Sequence, residues 1–566
     1  MNAELSPAFI LILGGLLVPL LPARVRPFAL VVLPFVAFAH LLTLPHGEVG
    51  QIQVMGLPLV TLRVDRLSLL FGYVFLLAAF LGGLYALHVR DTVQHSAALI
   101  YAGSAIGAVF AGDLVTLFIY WEGIAIASVF LIWASRNERA YRAGMRYFVV
   151  QIGSGLLLLT GILIHYRHTG SLAFGTLGLA SPGAWLILFA FGIKCAFPLL
   201  HNWLQDAYPE ATVSGTVLLS SFTTKVAVYA LARGFAGTEF LIPIGAAMTA
   251  FPIFYAVIEN DLRRVLAYSL NNQLGFMVVG IGLGTDLALN GAVAHAFADI
   301  LFKGLLFMSM GAVLFRIGTI KGSELGGLYK SMPWTAGFCI VGAASISAFP
   351  LFSGFVTKSM VIAAAMEQGY FWTWLVLLFA SAGVFHHAGI KIPYFAFFAH
   401  DSGKRCEEAP PHMLAAMAIA AAGCVAIGSL PWLFYQLLPF ETDFVPYSLD
   451  HVVGQVQLLF LSALAFTLLM RTGIYPPELR STNLDFDWFY RRPGRRLAES
   501  VGRVADVAWS DLARTVAYGA RRIVDEMYRY YGPYSAVART WPTGSMALWT
   551  TIMLAAYLLL SQLWSP

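Results

Sequence analysis

The sequence has little charge and little cysteine. Only 11% of its 566 residues are Asp, Glu, Lys or Arg, against roughly 25% in soluble domains, which excludes a string of soluble domains. Its four cysteines (Cys195, Cys339, Cys406, Cys424) are scattered without CxxC spacing. Iron–sulfur, haem-attachment and zinc sites therefore fail on ligand count. No phosphate loop, nicotinamide fingerprint or Ser–His–Asp constellation is present, so no cofactor and no metal is expected. What the chain has instead is apolar length. Hydrophobic residues make up 59% of it, in runs long enough to cross a hydrocarbon core of about 30 Å. The first, Pro7 to Leu21, is followed by others with no intervening soluble domain, so it reads as a span and not as a cleaved signal peptide. The sequence predicts an all-α, polytopic integral membrane protein of about sixteen transmembrane helices, the first near 7–22 and the last near 546–563. The lipid bilayer is its solvent, and its net charge of +5 need not imply a nucleic-acid partner.

That charge is distributed unevenly. The odd-numbered loops before the last carry fifteen Lys and Arg, among them Arg136, Arg139, Arg142 and Arg146. The even-numbered loops carry four, Arg63, Arg66, Arg167 and Arg233. The positive-inside rule makes the odd loops cytoplasmic, which sends both termini to the periplasm or exterior of a bacterial inner membrane. On the same count the Ser135–Arg146 loop is expected inside and the Asp206–Glu210 loop outside. The fifteenth loop, Arg471 to Arg539, adds twelve arginines.

Four of the 35 basic residues remain, and all fall inside predicted spans: Lys194, Lys225, Lys303 and Lys358. A lysine at mid-membrane costs about 2.5–3.5 kcal/mol, so four sum to the order of 10 kcal/mol. Snorkelling to the headgroups could relieve a lysine near a helix end, such as Lys358. The alternative is functional. Burial disfavours the charged form of an amine and lets it exchange protons near neutral pH.

Lys194 sits in Phe191-Gly-Ile-Lys-Cys-Ala-Phe-Pro-Leu-Leu-His201. Pro198 should break this helix and leave His201 beside the gap. The stretch Ala348-Phe-Pro-Leu repeats Ala196-Phe-Pro-Leu, with Pro350 in the place of Pro198 and Lys358 beyond it. The two segments lie five spans apart and should run in opposite directions. This is the trace of inverted repeats with interrupted helices, whose ion sites lie at the midplane. Glu122 lies well inside a span and needs a partner. His295, Asp299 and Lys303 follow one another at i, i+4 and i+8, so Asp299 is placed to touch both neighbours, as a relay would require. Other features read as bland. His386, His387 and His400 read as interfacial, Tyr73 and Tyr101 as interface anchors or core filler, and Gly153, Gly155 and Gly161 as sites of close helix packing.

After Pro493-Gly494, apolar residues from Leu497 to Tyr530 recur every three or four positions. They predict an amphipathic helix of roughly 35 residues, about 50 Å long. It is expected to lie flat on the cytoplasmic surface, where it would brace the bundle, dock a partner subunit or anchor to lipid. The chain then divides into N-terminal helices (1–95), a first inverted repeat (96–235), a second (236–400), C-terminal helices (401–480), the lateral helix segment (481–545) and a final helix (546–566).

These residues resemble the antiporter-like membrane subunits of respiratory complex I and of the multisubunit Mrp cation/proton antiporters. The chain looks most like the D-type component of the Mrp antiporters, with a C-terminal extension like that of the largest complex I pump subunit. The stretches that carry the likeness are Trp121-Glu122, Lys194 through Asp206-Ala-Tyr-Pro, Thr223-Thr-Lys225-Val-Ala-Val-Tyr, Asp261-Leu-Arg-Arg and His295 through Lys303-Gly-Leu-Leu-Phe. The resemblance implies that Glu122 and Lys194 form a switching ion pair. It also implies that Lys225, His295, Lys303 and Lys358 form a hydrated proton route along the midplane. Three departures stand out: Gln205 where the family has proline, no Pro-Thr-Pro after Glu210, and Asp299 where a second histidine is usual. The expected function is proton translocation, with H⁺ as the ion carried and Na⁺ as a second candidate ion. The chain would work as one subunit among other membrane subunits of a redox-driven or antiport complex, at most a translocase subunit with no redox centre of its own. Two other readings are an energising subunit for uptake of a small solute such as inorganic carbon, and a non-conducting structural subunit, which four buried lysines disfavour.

Overall fold

The computed structural model describes residues 5–54, 56–479, 483–535 and 538–564. Among them, eleven helices are long and apolar enough to cross a membrane, accompanied by shorter apolar helices at Pro7–Leu20, Arg26–Leu41, Pro182–Lys194 and Pro333–Ile346. The chain forms two compact units, Met1–Asn483 and Leu484–Pro566.

In the first unit the inner helices are those whose apolar faces meet protein all round. The Val213–Gly234 span is wholly buried and Asp286–Ile317 is buried over 78% of its apolar window, whereas Leu449–Thr472 is buried over only 17%. Lipid tails are as apolar as leucine, so close contact between helices depends on small residues. At Gly161 and Gly183 the Glu138–Thr169 and Pro182–Lys194 helices meet backbone to backbone, and a Cβ on Gly161 would come within 2.9 Å of the Gly183 carbonyl oxygen. The packing reading holds for Gly161. It fails for Gly153, which faces open space, and Gly155 abuts the Glu122 side chain instead of a helix backbone.

Both predicted breaks are present, and their backbones match. The Pro182–Lys194 helix stops before Pro198 and the Pro333–Ile346 helix before Pro350. Ala196 and Leu199 take φ of 60° and 71°; Ala348 and Leu351 take 57° and 73°. Non-glycine residues enter this left-handed region at a cost of order 1–3 kcal/mol each, so four such residues at equivalent places of Ala-Phe-Pro-Leu mark one repeated device. Residues 334–364, whose hydropathy reads as one span, are accordingly two helices, Pro333–Ile346 and Ser353–Glu367. Residues 183–200, which also read as one span, hold the shorter Pro182–Lys194 helix, followed by the short Asn202–Ala207 helix.

The structure adds a β-hairpin that the sequence reading does not foresee. Gly47–Val54 pairs antiparallel with Leu57–Val64 in what reads as an even-numbered loop. The Val60 N–H donates to Asp113 Oδ2 at 2.9 Å, and the Gly112 N–H donates to the Val60 carbonyl at 2.8 Å. Arg63 reaches the Phe174 carbonyl and Arg233 reaches Asp65, each at 2.8 Å. These contacts all join even-numbered loops. On the opposite face Arg136 pairs with Asp91 at 2.7 Å and Lys330 with Asp401 at 2.8 Å, joining odd-numbered loops.

One expectation is overturned here. Arg146 pairs with Asp206 at 2.6 Å and Arg139 with Glu210 at 2.7 Å. The Asp206–Glu210 loop thus lies on the same face as Ser135–Arg146. It follows the seventh span and is odd-numbered, so its carboxylates meet the arginines of that face.

The second unit holds the Arg495–Tyr531 helix of 37 residues and the apolar Thr543–Leu563 helix. The first coincides with the predicted amphipathic stretch.

Candidate functional site

All four intramembrane lysines are buried, Lys194, Lys225 and Lys303 fully and Lys358 to 1% exposure; none snorkels. The Lys194 ammonium donates to the Trp121 carbonyl at 2.9 Å and lies 4.3 Å from the indole centroid of the same residue. A desolvated cation over Trp gains about 2 kcal/mol. Glu122, the next residue in the Leu114–Trp133 helix, is a charge neighbour of Lys194, but the two make no direct ion pair, and the Lys194 ammonium is held by the Trp121 carbonyl instead. A Cβ at Gly155 would overlap the Glu122 Oε1 atom. Gly155 therefore makes room for a carboxylate. Gly155→Ala should displace Glu122 without unfolding the bundle and cut transport by about 10- to 100-fold, since misplacing a reacting group costs up to that much. A vesicle transport assay alongside complex yield checks both halves.

Lys225 stands just after a kink at Phe222, which separates the Val213–Ser221 and Thr223–Gly234 helices. The kink frees backbone groups, and side chains satisfy them. Lys225 donates to the Ser220 carbonyl at 3.0 Å, and the Tyr101 hydroxyl accepts the Thr223 N–H at 3.0 Å. Tyr101 is thus a fully buried cap and not an interface anchor.

The carboxylate partner of Lys225 is Asp299, at 2.5 Å with both side chains fully buried. The i, i+4 spacing predicts that Asp299 bonds its own helix neighbours, His295 and Lys303. The structure instead turns it across to another helix, with Lys303 as a charge neighbour. His295 faces elsewhere. Its Nδ1 is 3.0 Å from the Thr357 hydroxyl and its Nε2 3.1 Å from Gln273 Oε1. The histidine therefore links the Leu262–Leu283 helix to Thr357, the residue before Lys358. Lys358 donates to the Ile346 carbonyl at 2.9 Å, a group freed by the second break, and lies 4.9 Å from the Phe276 ring centroid. Lys303 is the least satisfied of the four, with one 3.5 Å approach to the Leu266 carbonyl.

Of the supporting residues, Pro198 and Pro350 end their helices as expected. His201 is buried in the gap, its ring centroid 4.6 Å from that of Phe251. The interfacial reading of His387 is wrong, because the ring is fully buried. Lys391, which the sequence places in a loop, is fully buried too, paired with Glu478 at 2.9 Å. The i, i+4 spacing of His387 and Lys391 at the end of an apolar helix is the signal that could have found them. Among the described residues no group of His, Cys, Asp and Glu could hold a metal ion.

Broken helices around buried lysines and acids define a class: polytopic membrane proteins with charged groups inside the helix bundle. Residues 111–385 match the family described as NADH:quinone oxidoreductase/Mrp antiporter, transmembrane region. The chain is 30% identical over 414 residues to NADH-quinone oxidoreductase subunit N of Desulforudis audaxviator, covering 66% of this chain and 82% of that one. It is 29% identical over 429 residues to Hydrogenase-4 component B of Escherichia coli, covering 67% of this chain and 64% of that one. The chain thus spans slightly less than two thirds of this second relative. The fold matches a chain of the membrane-bound sulfane sulfur reductase, an archaeal respiratory membrane complex, with a TM-score of 0.71 at 22% identity over 99% of this chain and all of that one. The protein belongs to the NADH:quinone oxidoreductase/Mrp antiporter membrane-subunit family.

Proposed function

We propose that the protein translocates protons as one subunit of a multisubunit membrane complex, along a chain formed by Glu122, Lys194, Lys225, Asp299, Lys303, His295 and Lys358. The observation that carries this reading is the Lys225–Asp299 pair, fully buried at 2.5 Å beside three further buried lysines. Buried ion pairs are poor stabilisers, and apolar replacements of the same volume are often neutral or better. Such a row is retained for what its protons do. A charged amine parted from its counter-ion in a low-dielectric core releases its proton readily, and one that regains the counter-ion holds it. In this reading the Lys225–Asp299 ion pair and the charge neighbours Glu122 and Lys194 act as two such couples in series. When Lys194 parts from Glu122, one proton leaves its ammonium for the next free amine, and the couple re-forms after reprotonation. Proton uptake by proteoliposomes holding the whole complex, under an imposed potassium diffusion potential, tests this reading with Lys225→Met as the variant. Uptake at the wild-type rate would overturn it.

The orientation follows from the charge count: the odd-loop face is cytoplasmic and both termini lie outside a bacterial inner membrane. In a Cys406→Ser background, Asn137→Cys should react with an impermeant maleimide only in inverted vesicles, and Glu48→Cys on the hairpin only in intact cells. The opposite pattern reverses the orientation.

A further inference from the structure

Beyond the lysine row, a second group of buried ionisable residues lies at the odd-loop end of the bundle. The helical segment Phe371–Phe398 departs from α geometry there, with π-helical turns at Phe385–Ile390 and Tyr394–Phe398. Such turns are rare and gather at functional sites. His387 stands in the first of them. Its charge neighbours are Lys303, His386 and Lys391, and neither ring nitrogen has a well-aligned hydrogen bond among the described residues.

One turn further on, Lys391 donates to the carbonyls of Val257 at 2.6 Å, Glu259 at 2.7 Å and Ala256 at 3.2 Å, and pairs with Glu478. So many acceptors make this ammonium a fixed charge and a poor carrier. Glu259 also faces the cluster, itself held by the Asn483 amide at 3.2 Å, with Arg264 at 3.9 Å. The Glu478 side chain is 6% exposed and lines a cavity of about 330 Å³ with Ser323, His400 and Tyr475. Its Oε2 and the Tyr475 hydroxyl are buried with no hydrogen-bond partner among the described residues. Burial pushes the Glu478 carboxyl above the usual carboxylate range, against the pull of Lys391. Buried polar atoms without protein partners are ordinarily satisfied by water, and these border a cavity on the loop face.

We propose that Glu478 and His387 form a proton-uptake branch from the odd-loop face to Lys303, with Lys391 as the fixed positive charge beside it. The Glu478 carboxylate takes one proton that arrives from the bulk through the cavity water, the hydronium that delivers it being left as water. That proton passes to the His387 imidazole and then to the neutral Lys303 amine, and each carrier returns to its starting form with only N–H and O–H bonds exchanged. The branch rests on the translocation reading above, and the test separates the two.

In proteoliposomes of the whole complex, Glu478→Gln and His387→Asn should each slow proton uptake from the odd-loop face by about tenfold or more, while Glu478→Asp stays within about threefold of wild type. A bulky, charged maleimide on Ser323→Cys, at the cavity wall, should block uptake from that face in an otherwise intact chain. Loss of uptake in Lys225→Met with wild-type rates in His387→Asn and in labelled Ser323→Cys would overturn the branch and leave the translocation reading standing. Wild-type rates in all of them would overturn the reading itself. Should Glu478→Gln fail to assemble, His387→Asn and the Ser323→Cys block still decide.

Discussion

Lys225→Met is expected to abolish proton uptake and to destabilise the bundle by about 3–5 kcal/mol, the usual cost of leaving a buried charge without its partner. The partner is Asp299, with no exposed surface to turn toward. The double variant Lys225→Met/Asp299→Asn removes both charges and should recover most of that stability while remaining inactive. Stability and transport then separate, as they must if the pair is kept for its protons. Thermal denaturation of the purified complex alongside vesicle uptake reads both quantities. Uptake recovered in the double variant would reduce the pair to a packing element. Asp299→Asn alone should also impair uptake, and Asp299→His should restore part of it.

Glu122→Gln and Lys194→Met should each reduce uptake to background with normal yields of complex. Lys194 keeps the Trp121 carbonyl and indole as neighbours whatever happens at Glu122, so the fold has little reason to fail when the carboxylate is neutralised. The couple does fail, because without a counter-ion there is nothing for Lys194 to leave and rejoin. Glu122→Asp shortens the side chain by one methylene and should retain part of the rate. Wild-type uptake in both Glu122→Gln and Lys194→Met would remove this couple from the route.

The lysine row is legible in the sequence because the physics is one-dimensional. A charge inside an apolar run of twenty residues is costly wherever the helix packs, so Lys194, Lys225, Lys303 and Lys358 stand out without a structure. The breaks are legible too, because proline announces them and Ala-Phe-Pro-Leu occurs twice. Pairing across helices is not. Spacing along one helix suggests His295 and Lys303 as partners for Asp299, but the carboxylate turns to Lys225, more than seventy residues away. Periodicity within a helix says nothing about which neighbour a side chain faces. Lys391 and Glu478 escape for the same reason: each looks like an ordinary loop charge until the fold buries them together. The hairpin escapes because Gly47–Val64 reads as a connection between spans, although its second strand tucks Leu59, Leu62 and Val64 into the core. For the Asp206–Glu210 loop the error lies in the parity of the spans before it, and the ion pairs with Arg146 and Arg139 correct it.

The central claim is that these lysines work by gaining and losing protons, not by being positive. Lys194→Arg tests it most directly, since a guanidinium keeps the charge and does not release its proton. Proton uptake should be measured in proteoliposomes of the assembled complex under an imposed potassium diffusion potential. Lys194→Arg should assemble fully and show no uptake above background; uptake at the wild-type rate with arginine at position 194 would contradict proton exchange at this site.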